Sequence, residues 1–205
     1  MSDIEGFILT GGASSRMGRD KAHLLLEGRT FVERIAEAIS AIAARVRLVS
    51  SRSEDAQAGL PVVPDLYAHR GALSGLHAAL AACNTEWAAV VSCDLPFVTG
   101  ELCLLLARLR TADSDAVAPI QEDGRPQPLC SLYRPVPCLE VAERLINADE
   151  LRPRVLLREV RTRWVAPEEW QALRRSELFY LNVNRPEDYA RAQTMIADWD
   201  QRIAD

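Results

Sequence analysis

The chain has 205 residues, 48% of them apolar, which is enough for one well-packed core and short for two, so a single domain over residues 1–205 is expected. Its 24 basic residues are outnumbered by 29 acidic ones, giving a net charge of -5; this argues against a general nucleic-acid or anionic-membrane binder and requires any polyanion to be met by a local cluster of charge. No stretch approaches the roughly 20 apolar residues of a bilayer span and the start, MSDIEG, has no basic leader region, so a cytoplasmic protein is expected.

Ile4-Glu5-Gly6-Phe7-Ile8-Leu9 reads as a short buried strand, and LTGGASSRMGRDK, which begins at its last residue, as a Gly-rich loop at its carboxyl end. From Thr30, an N-cap with Glu33 three residues on, the apolar positions Phe31, Ile35, Ala38, Ile39 and Ile42 recur at helical spacing and predict a first crossover helix. Val46–Ser50 predicts a second strand, and a short segment over 60–63 leads to Pro64-Asp65. A helix is predicted from Gly71-Ala72-Leu73-Ser74-Gly75 through about residue 82, then a continuously apolar strand over Trp87–Ser92 that runs into Cys93-Asp94-Leu95-Pro96. A strand apolar on both faces suits the middle of a parallel sheet covered on each side. A helix over 99–110, a strand over 115–119, a polar loop over 121–129 and a segment Cys130–Tyr133 follow; 135–175 reads only as helix-rich and arginine-rich. At the end, 178–181 predicts a last strand, Asn182-Val183-Asn184 its exit, and Pro186 the first position of a final helix whose buried face carries Tyr189, Ala192, Ile196 and Trp199. The alternation predicts an α/β three-layer, Rossmann-like fold with a mostly parallel central sheet and right-handed crossovers.

The opening loop fits neither a P-loop, since Arg19-Asp20 follow Gly18, nor a dinucleotide fingerprint, since Gly11-Gly12-Ala13 breaks the spacing. Its physics is nevertheless that of a phosphate cradle: glycines admit a close ligand, successive N–H groups form an anion nest, and Ser14, Arg16 and Lys21 add a hydroxyl and charge. A flexible turn would explain the glycines but not two arginines and a lysine within residues 16–21. Lys21 is also the single lysine of an otherwise all-arginine basic set, and a lysine is a compact point charge where an arginine is a planar fork. Asp94 ends a buried strand, where a carboxylate either holds a hard divalent cation against phosphate oxygens or caps the following helix. Asp65 and the Gly-rich helix start, including Gly75, are either a polar loop or a second wall of the same crevice. Asn182 and Asn184 lie two apart on an extended segment and so point the same way, either into that crevice or to cap the last helix. Arg125-Pro126-Gln127 is either a surface turn or an arginine held by rigid flanks for an anion. The cysteines (Cys83, Cys93, Cys103, Cys130, Cys138) are odd in number and contain no C-x-x-C pair, which points to reduced, mostly buried thiols. His23 and His69 are isolated and His77 falls within a predicted helix, so no catalytic dyad is indicated.

In this order the segments resemble the molybdenum cofactor guanylyltransferase family of the nucleotidyltransferases: LTGGASSRMGRDK as signature, Asp65 after the third strand, GALSG, CDLP, RPQPL and NVNRPEDY, together covering residues 6–190. The resemblance implies a nucleotide-diphospho-sugar-transferase-like fold that takes GTP and molybdopterin, with Mg2+, and makes the guanine dinucleotide cofactor with release of pyrophosphate. It implies a nucleotide-binding N-terminal half and a molybdopterin-binding C-terminal half. Leu9, Thr10, Gly11 and Gly12 would meet the nucleotide with main-chain groups, Ser14, Arg16 and Lys21 its phosphates, Asp65 and Gly75 the nucleoside, and Asp94 the metal. Arg125, Pro126 and Gln127 would bind the pterin substrate, and Asn182 and Asn184, also counted as substrate-binding, would lie at the junction of the two substrates. Thr10 stands where the family usually has Ala, and Ser50-Ser51 where it often has Asn, so Ser51 would supply that hydrogen bond. Other cofactor-synthesis proteins and molybdoenzyme chaperones are implied as partners, and nucleic acid and membrane are not. Alternative readings are a cytidylyl or sugar-phosphate nucleotidyltransferase on the same fold, from which Gly11-Gly12 in place of Ala-Gly separates it, and a non-catalytic nucleotide or cofactor chaperone.

Overall fold

The computed structural model describes residues 3–10, 24–50, 59–65, 67 and 71–204, with side chains to residue 196. The chain forms β1 (Ile4–Leu9), β2 (Leu25–Leu26), β3 (Arg29–Thr30), α1 (Phe31–Ser40), β4 (Val46–Ser50), β5 (Val62–Pro64), α2 (Ala72–Ala82), β6 (Trp87–Ser92), α3 (Gly100–Arg108), β7 (Ala116–Pro119) and β8 (Cys130–Tyr133). It continues through α4 (Pro135–Asn147), α5 (Pro153–Glu159), β9 (Thr162–Val165), α6 (Pro167–Trp170) and α7 (Pro186–Ala204). Seven strands make one sheet in the order β5-β4-β1-β6-β8-β7-β9. All run parallel except β8, which pairs antiparallel with both β6 and β7. The expected α/β architecture with a mostly parallel sheet is therefore what the chain adopts.

The layers follow from alternation along the strands. On β1, Ile4 and Ile8 point to the face covered by α1 and α3, while Phe7 and Leu9 point to the face covered by α2, α4 and α5. Such two-sided burial explains why β1 and β6 are apolar nearly throughout. Helix α1 begins at Thr30 because its side chain accepts from the Glu33 amide while the Glu33 carboxylate accepts from the Thr30 amide, a reciprocal cap. It buries Phe31, Val32, Ile35, Ala38 and Ile39, each worth about 1.5–3 kcal/mol on removal from water except the smaller alanine. Close approach of α1 requires a glycine beneath it: a Cβ on Gly6 would lie 2.3 Å from Ile39 Cγ2 and 3.3 Å from Val46 Cγ2.

Three features differ from the sequence expectation. A tight hairpin, β2–β3, precedes α1, turning through Glu27 and Gly28 at φ of 51° and 77°, the pair of positive values that a type I′ turn needs. Strand β9 emerges from the arginine-rich stretch and closes the sheet beside β7. The strand expected over 178–181 is instead a 3₁₀ turn, Ser176–Leu178, continued by a bond from the Leu181 amide to the Leu178 carbonyl. The reason is packing in two directions: Leu178 enters the cluster under α7, whereas Phe179 and Tyr180 turn onto Trp170, and a helical turn can fan consecutive side chains in this way where an alternating strand cannot.

Among the described residues no helix is long and apolar enough to cross a membrane. Cys93, Cys103, Cys130 and Cys138 are buried and Cys83 is half-buried, all free thiols as expected; burial pushes Cys103 and Cys138 up to about 12.

At the amino-terminal edge of the sheet, the Asp115 carboxylate accepts two bonds from the Arg161 guanidinium (2.8 and 2.7 Å) and one from its amide, tying the start of β7 to that of β9. These bonds hold its carboxyl below the ordinary 3.8. A depressed folded-state pKa stabilises fully above the unfolded value and is lost as pH falls through the folded value. In Asp115→Asn, chemical denaturation should therefore show a stability deficit that is largest near neutrality and shrinks below about pH 4; a deficit unchanged with pH contradicts the ionic origin. Gly6→Ala should lower stability by about 1–3 kcal/mol through overpacking against Ile39, as measured by the shift of a urea midpoint at unchanged slope.

Candidate active site

In an open α/β sheet a ligand crevice forms where neighbouring strands send their connections in opposite directions. Here that point lies between β1, which leads through α1 to β4 on one side, and β6, on the other side of β1. Leu9 pairs with Ser92 at the ends of these strands, and the Cys93 amide donates to the Leu9 carbonyl at 3.0 Å. Thr10, the first residue beyond β1, and Asp94, two residues beyond β6, thus leave the sheet side by side at this switch point.

Thr10 is nearly buried, 5% exposed. Its amide and its hydroxyl both donate to the Val49 carbonyl, at 3.0 and 3.1 Å. The threonine that stands where alanine is usual in the family it resembles therefore folds its hydroxyl back onto β4. Leu9 packs on the α2 face against the backbone of Gly75, 3.5 Å from the position of a Cβ there. One strand further out, the Asp65 amide donates to the Ser50 carbonyl at 3.1 Å. Its carboxylate accepts from the Tyr67 amide at 3.0 Å and from the Ser74 hydroxyl at 3.2 Å, and Ser74 bonds also to the Gly71 carbonyl. Asp65 is held at the end of β5 by the first turn of α2. Ser74 lies within the GALSG segment, but its partnership with Asp65 depends on a loop that returns nine residues apart, which spacing alone does not show.

Asp94 behaves differently. Helix α3 is capped by Thr99, whose side chain accepts from the Leu102 amide, so the capping role open to Asp94 in the sequence is taken by another residue. The Asp94 side chain is half-buried, and among the described residues no hydrogen bond or ion pair is made by its carboxylate. Its carbonyl accepts from the Val183 amide at 2.9 Å. That bond brings the segment 182–184 to the crevice: Val183 is fully buried under α7 while Asn182 and Asn184, on either side of it, are exposed. Asp188, in the first turn of α7, accepts from the amides of Asn184 and Arg185, both at 2.9 Å.

Beyond β6, the Ser92 amide donates to the Leu129 carbonyl at 2.9 Å, which puts the loop between β7 and β8 at the same edge. Within it Pro126 bridges to Ile120, and the Gln127 backbone is bonded to Pro119, Cys130 and Ser131 with its side chain 8% exposed. Arg125 projects at the tip, 3.3 Å from Asp123. Five arginines of 135–175 are paired among the described residues: Arg144 with Glu159, Arg152 with Glu150, Arg161 with Asp115, Arg163 with Glu169 and Arg175 with Glu27. Leu9, Thr10, Asp65 and Asp94 thus lie along one edge of the sheet, with Gly75 against Leu9, the backbone of 182–184 on Asp94 and the 125–127 loop at the same edge. Gly11, Gly12, Ser14, Arg16, Lys21 and Ser51 lie outside the described residues, as do His23, His69 and the Trp199 side chain.

Residues 6–164 match the MobA-like NTP transferase domain family. The chain is 33% identical over 196 residues to a probable molybdenum cofactor guanylyltransferase of Pelotomaculum thermopropionicum, covering 95% of this chain and 94% of that protein. This chain belongs to the molybdenum cofactor guanylyltransferase family and is a nucleotidyltransferase. A molybdenum cofactor guanylyltransferase of Desulfosudis oleivorans is 28% identical over 198 residues, covering 96% and 97% of the two chains. The fold is shared with molybdopterin-guanine dinucleotide biosynthesis protein A of Archaeoglobus fulgidus, at a TM-score of 0.79 and 24% identity over 95% of this chain and 99% of that one.

Ser74→Ala removes one of the two described donors to the Asp65 carboxylate and should cost about 0.5–1.5 kcal/mol. Thermal unfolding measures that loss, and hydrogen exchange at the Tyr67 amide should rise with it if the two bonds hold the carboxylate together.

Proposed function

We propose that this protein transfers GMP from GTP to molybdopterin, forming the guanine dinucleotide cofactor and releasing pyrophosphate. The observation that carries the reading is Asp94: a carboxylate at the switch point of the sheet, with no partner among the described residues and with its backbone bonded to the run that carries Asn182 and Asn184. One carboxylate beside a phosphate site suits a small hard cation such as Mg2+, which takes one or two protein carboxylates and completes its shell with water and phosphate oxygens. Bound there, the cation would neutralise charge on the triphosphate. Lys21 and Arg16 would hold the phosphates, and the main chain of Leu9, Thr10, Gly11 and Gly12, with Ser14, would meet the nucleotide. Asp65, Gly75 and Ser51 face the nucleoside.

The reaction is an in-line displacement. An oxygen of the pterin's terminal phosphate attacks the α-phosphorus of GTP, a new P–O bond forms, the bond to the bridging oxygen breaks, and pyrophosphate leaves with that electron pair. The attacking oxygen is already anionic, so the protein needs no nucleophile and no general base; its work is alignment and charge stabilisation. One nucleotidyltransferase domain would then divide its labour, the N-terminal half holding GTP and the C-terminal half, with Arg125, Pro126, Gln127, Asn182 and Asn184, holding the pterin.

The test is to incubate purified protein and Mg2+ with molybdopterin and GTP, CTP or ATP in turn and to identify the product. GTP should give the guanine dinucleotide and pyrophosphate; a cytidine product would move the chain to the cytidylyl branch, and binding without any product would make it a carrier. Asp94→Asn and Lys21→Ala should each lose about 2–4 kcal/mol of transition-state stabilisation, about 10²–10³ in kcat. The melting temperature of Asp94→Asn should stay close to that of the parent, because the carboxylate bonds to no described group. Full activity in either variant removes that residue from the mechanism.

A further inference from the structure

Arg34 is an internal arginine whose three described bonds all leave its own helix. It lies on α1 with its side chain 17% exposed. Nε donates to the Pro96 carbonyl at 3.1 Å, and Nη1 donates to the Leu26 carbonyl at 3.3 Å and to Glu27 Oε2 at 2.7 Å. Pro96 is two residues past Asp94, in the turn that carries it out of β6. Leu26 and Glu27 belong to the β2–β3 hairpin, the first element after the signature segment that contains Lys21. The other oxygen of Glu27 faces Arg175 Nη2 at 3.6 Å, and Arg175 lies in the stretch that leads to Asn182 and Asn184. Glu27 itself sits at a φ of 51°, a conformation uncommon in residues other than glycine, asparagine and aspartate, so the backbone accepts a cost at the point where its carboxylate meets both guanidiniums.

Geometry explains the choice of residue. A guanidinium presents several N–H donors in a rigid planar fork, so one side chain can fix two carbonyls and a carboxylate from different segments at once; an ammonium on a flexible stem cannot hold the same three directions. We propose that Arg34, seated on Glu27, is a positioning residue that fixes the Asp94 turn and the hairpin after the signature segment relative to each other, and so sets the fit of the metal–triphosphate complex. The inference rests on the function proposed above. Arg34 touches neither substrate nor metal in this account; it acts through Pro96 on Asp94, as partners behind a metal-binding residue commonly do, where substitution costs 10–100-fold in metal affinity or activity.

The test compares Arg34→Lys and Glu27→Gln with the parent protein in three measurements: Mn2+ binding in the presence of GTP, hydrogen exchange over residues 92–98 without ligand, and the Mg2+ dependence of transfer. In Arg34→Lys, exchange over 92–98 should quicken and Mn2+ affinity should fall about 10-fold. More Mg2+ should then be needed for half-maximal rate, while the KM for GTP at saturating Mg2+ changes little. Glu27→Gln, which leaves the bonds to Pro96 and Leu26 possible, should move each readout the same way by less. Parent-like Mn2+ affinity in Arg34→Lys overturns the proposal, and if that variant fails to fold, parent-like affinity in Glu27→Gln does so. Arg29→Ala cuts the neighbouring pair between this hairpin and Glu37 of α1; an equal loss there would also overturn it, because loosening of the hairpin in general would then suffice. Should the parent bind Mn2+ and GTP but transfer nothing, the proposed function fails while the binding and exchange arms still decide the role of Arg34.

Discussion

The bond from the Cys93 amide to the Leu9 carbonyl closes the sheet at the place where β1 and β6 lie side by side and their connections part. Four parallel strands, β5, β4, β1 and β6, deliver Asp65, Ser50, Thr10 and Asp94 to the same edge because all four point the same way. A single reversed strand among them would move one of these residues to the far side of the sheet. The one reversal that does occur, β8, lies outside that set and returns the 121–129 loop to the edge instead of removing it. Function in this fold is thus a consequence of strand direction before it is a matter of any side chain.

Two aspartates at that edge divide between fixed and available. Asp65 is bound by Tyr67 and Ser74 and is fixed in place; Asp94 has its backbone tied on both sides, through Cys93 and Val183, and its carboxylate without a described partner. A rigid main chain under an uncommitted charge is what a cation site requires, since the cost of ordering the ligand is then met during folding and not on binding. The clamp formed by Arg34, Glu27 and Arg175 extends the same logic one layer further from the crevice. It also explains why a polar cluster persists beside the apolar group of Leu26, Phe31, Phe97 and Val183.

Much of the frame was legible in the sequence because its signals are local. The continuously apolar run of β6 and the mostly apolar run of β1 marked central strands, the Thr30 and Glu33 pair announced α1, and the strand ends pointed to Asp65 and Asp94. Where the sequence misled, the cause is tertiary. The run over 178–181 has a strand's composition but serves two clusters from one turn. β9 carries Arg163 and Trp164 at an edge, where one face need not be apolar. The β2–β3 hairpin turns through Glu-Gly where asparagine or aspartate would have marked it. In the site, the Ser74 partner of Asp65 was hidden by a loop that returns nine residues on, and the Arg34 clamp because two of its three targets are backbone carbonyls, which leave no trace in residue identity.

Transfer as proposed requires Asp94 and the Gly-rich segment to share one metal–nucleotide complex at the junction of β1 and β6. The most direct measurement is a crystal structure of the protein soaked with Mn2+ and GTP, with the metal located by its anomalous signal. The peak should be bonded to an Asp94 carboxylate oxygen and to triphosphate oxygens, with Lys21 on the phosphates. A metal–nucleotide complex bound elsewhere, or triphosphate density that leaves Asp94 without the metal, would contradict the proposed transfer.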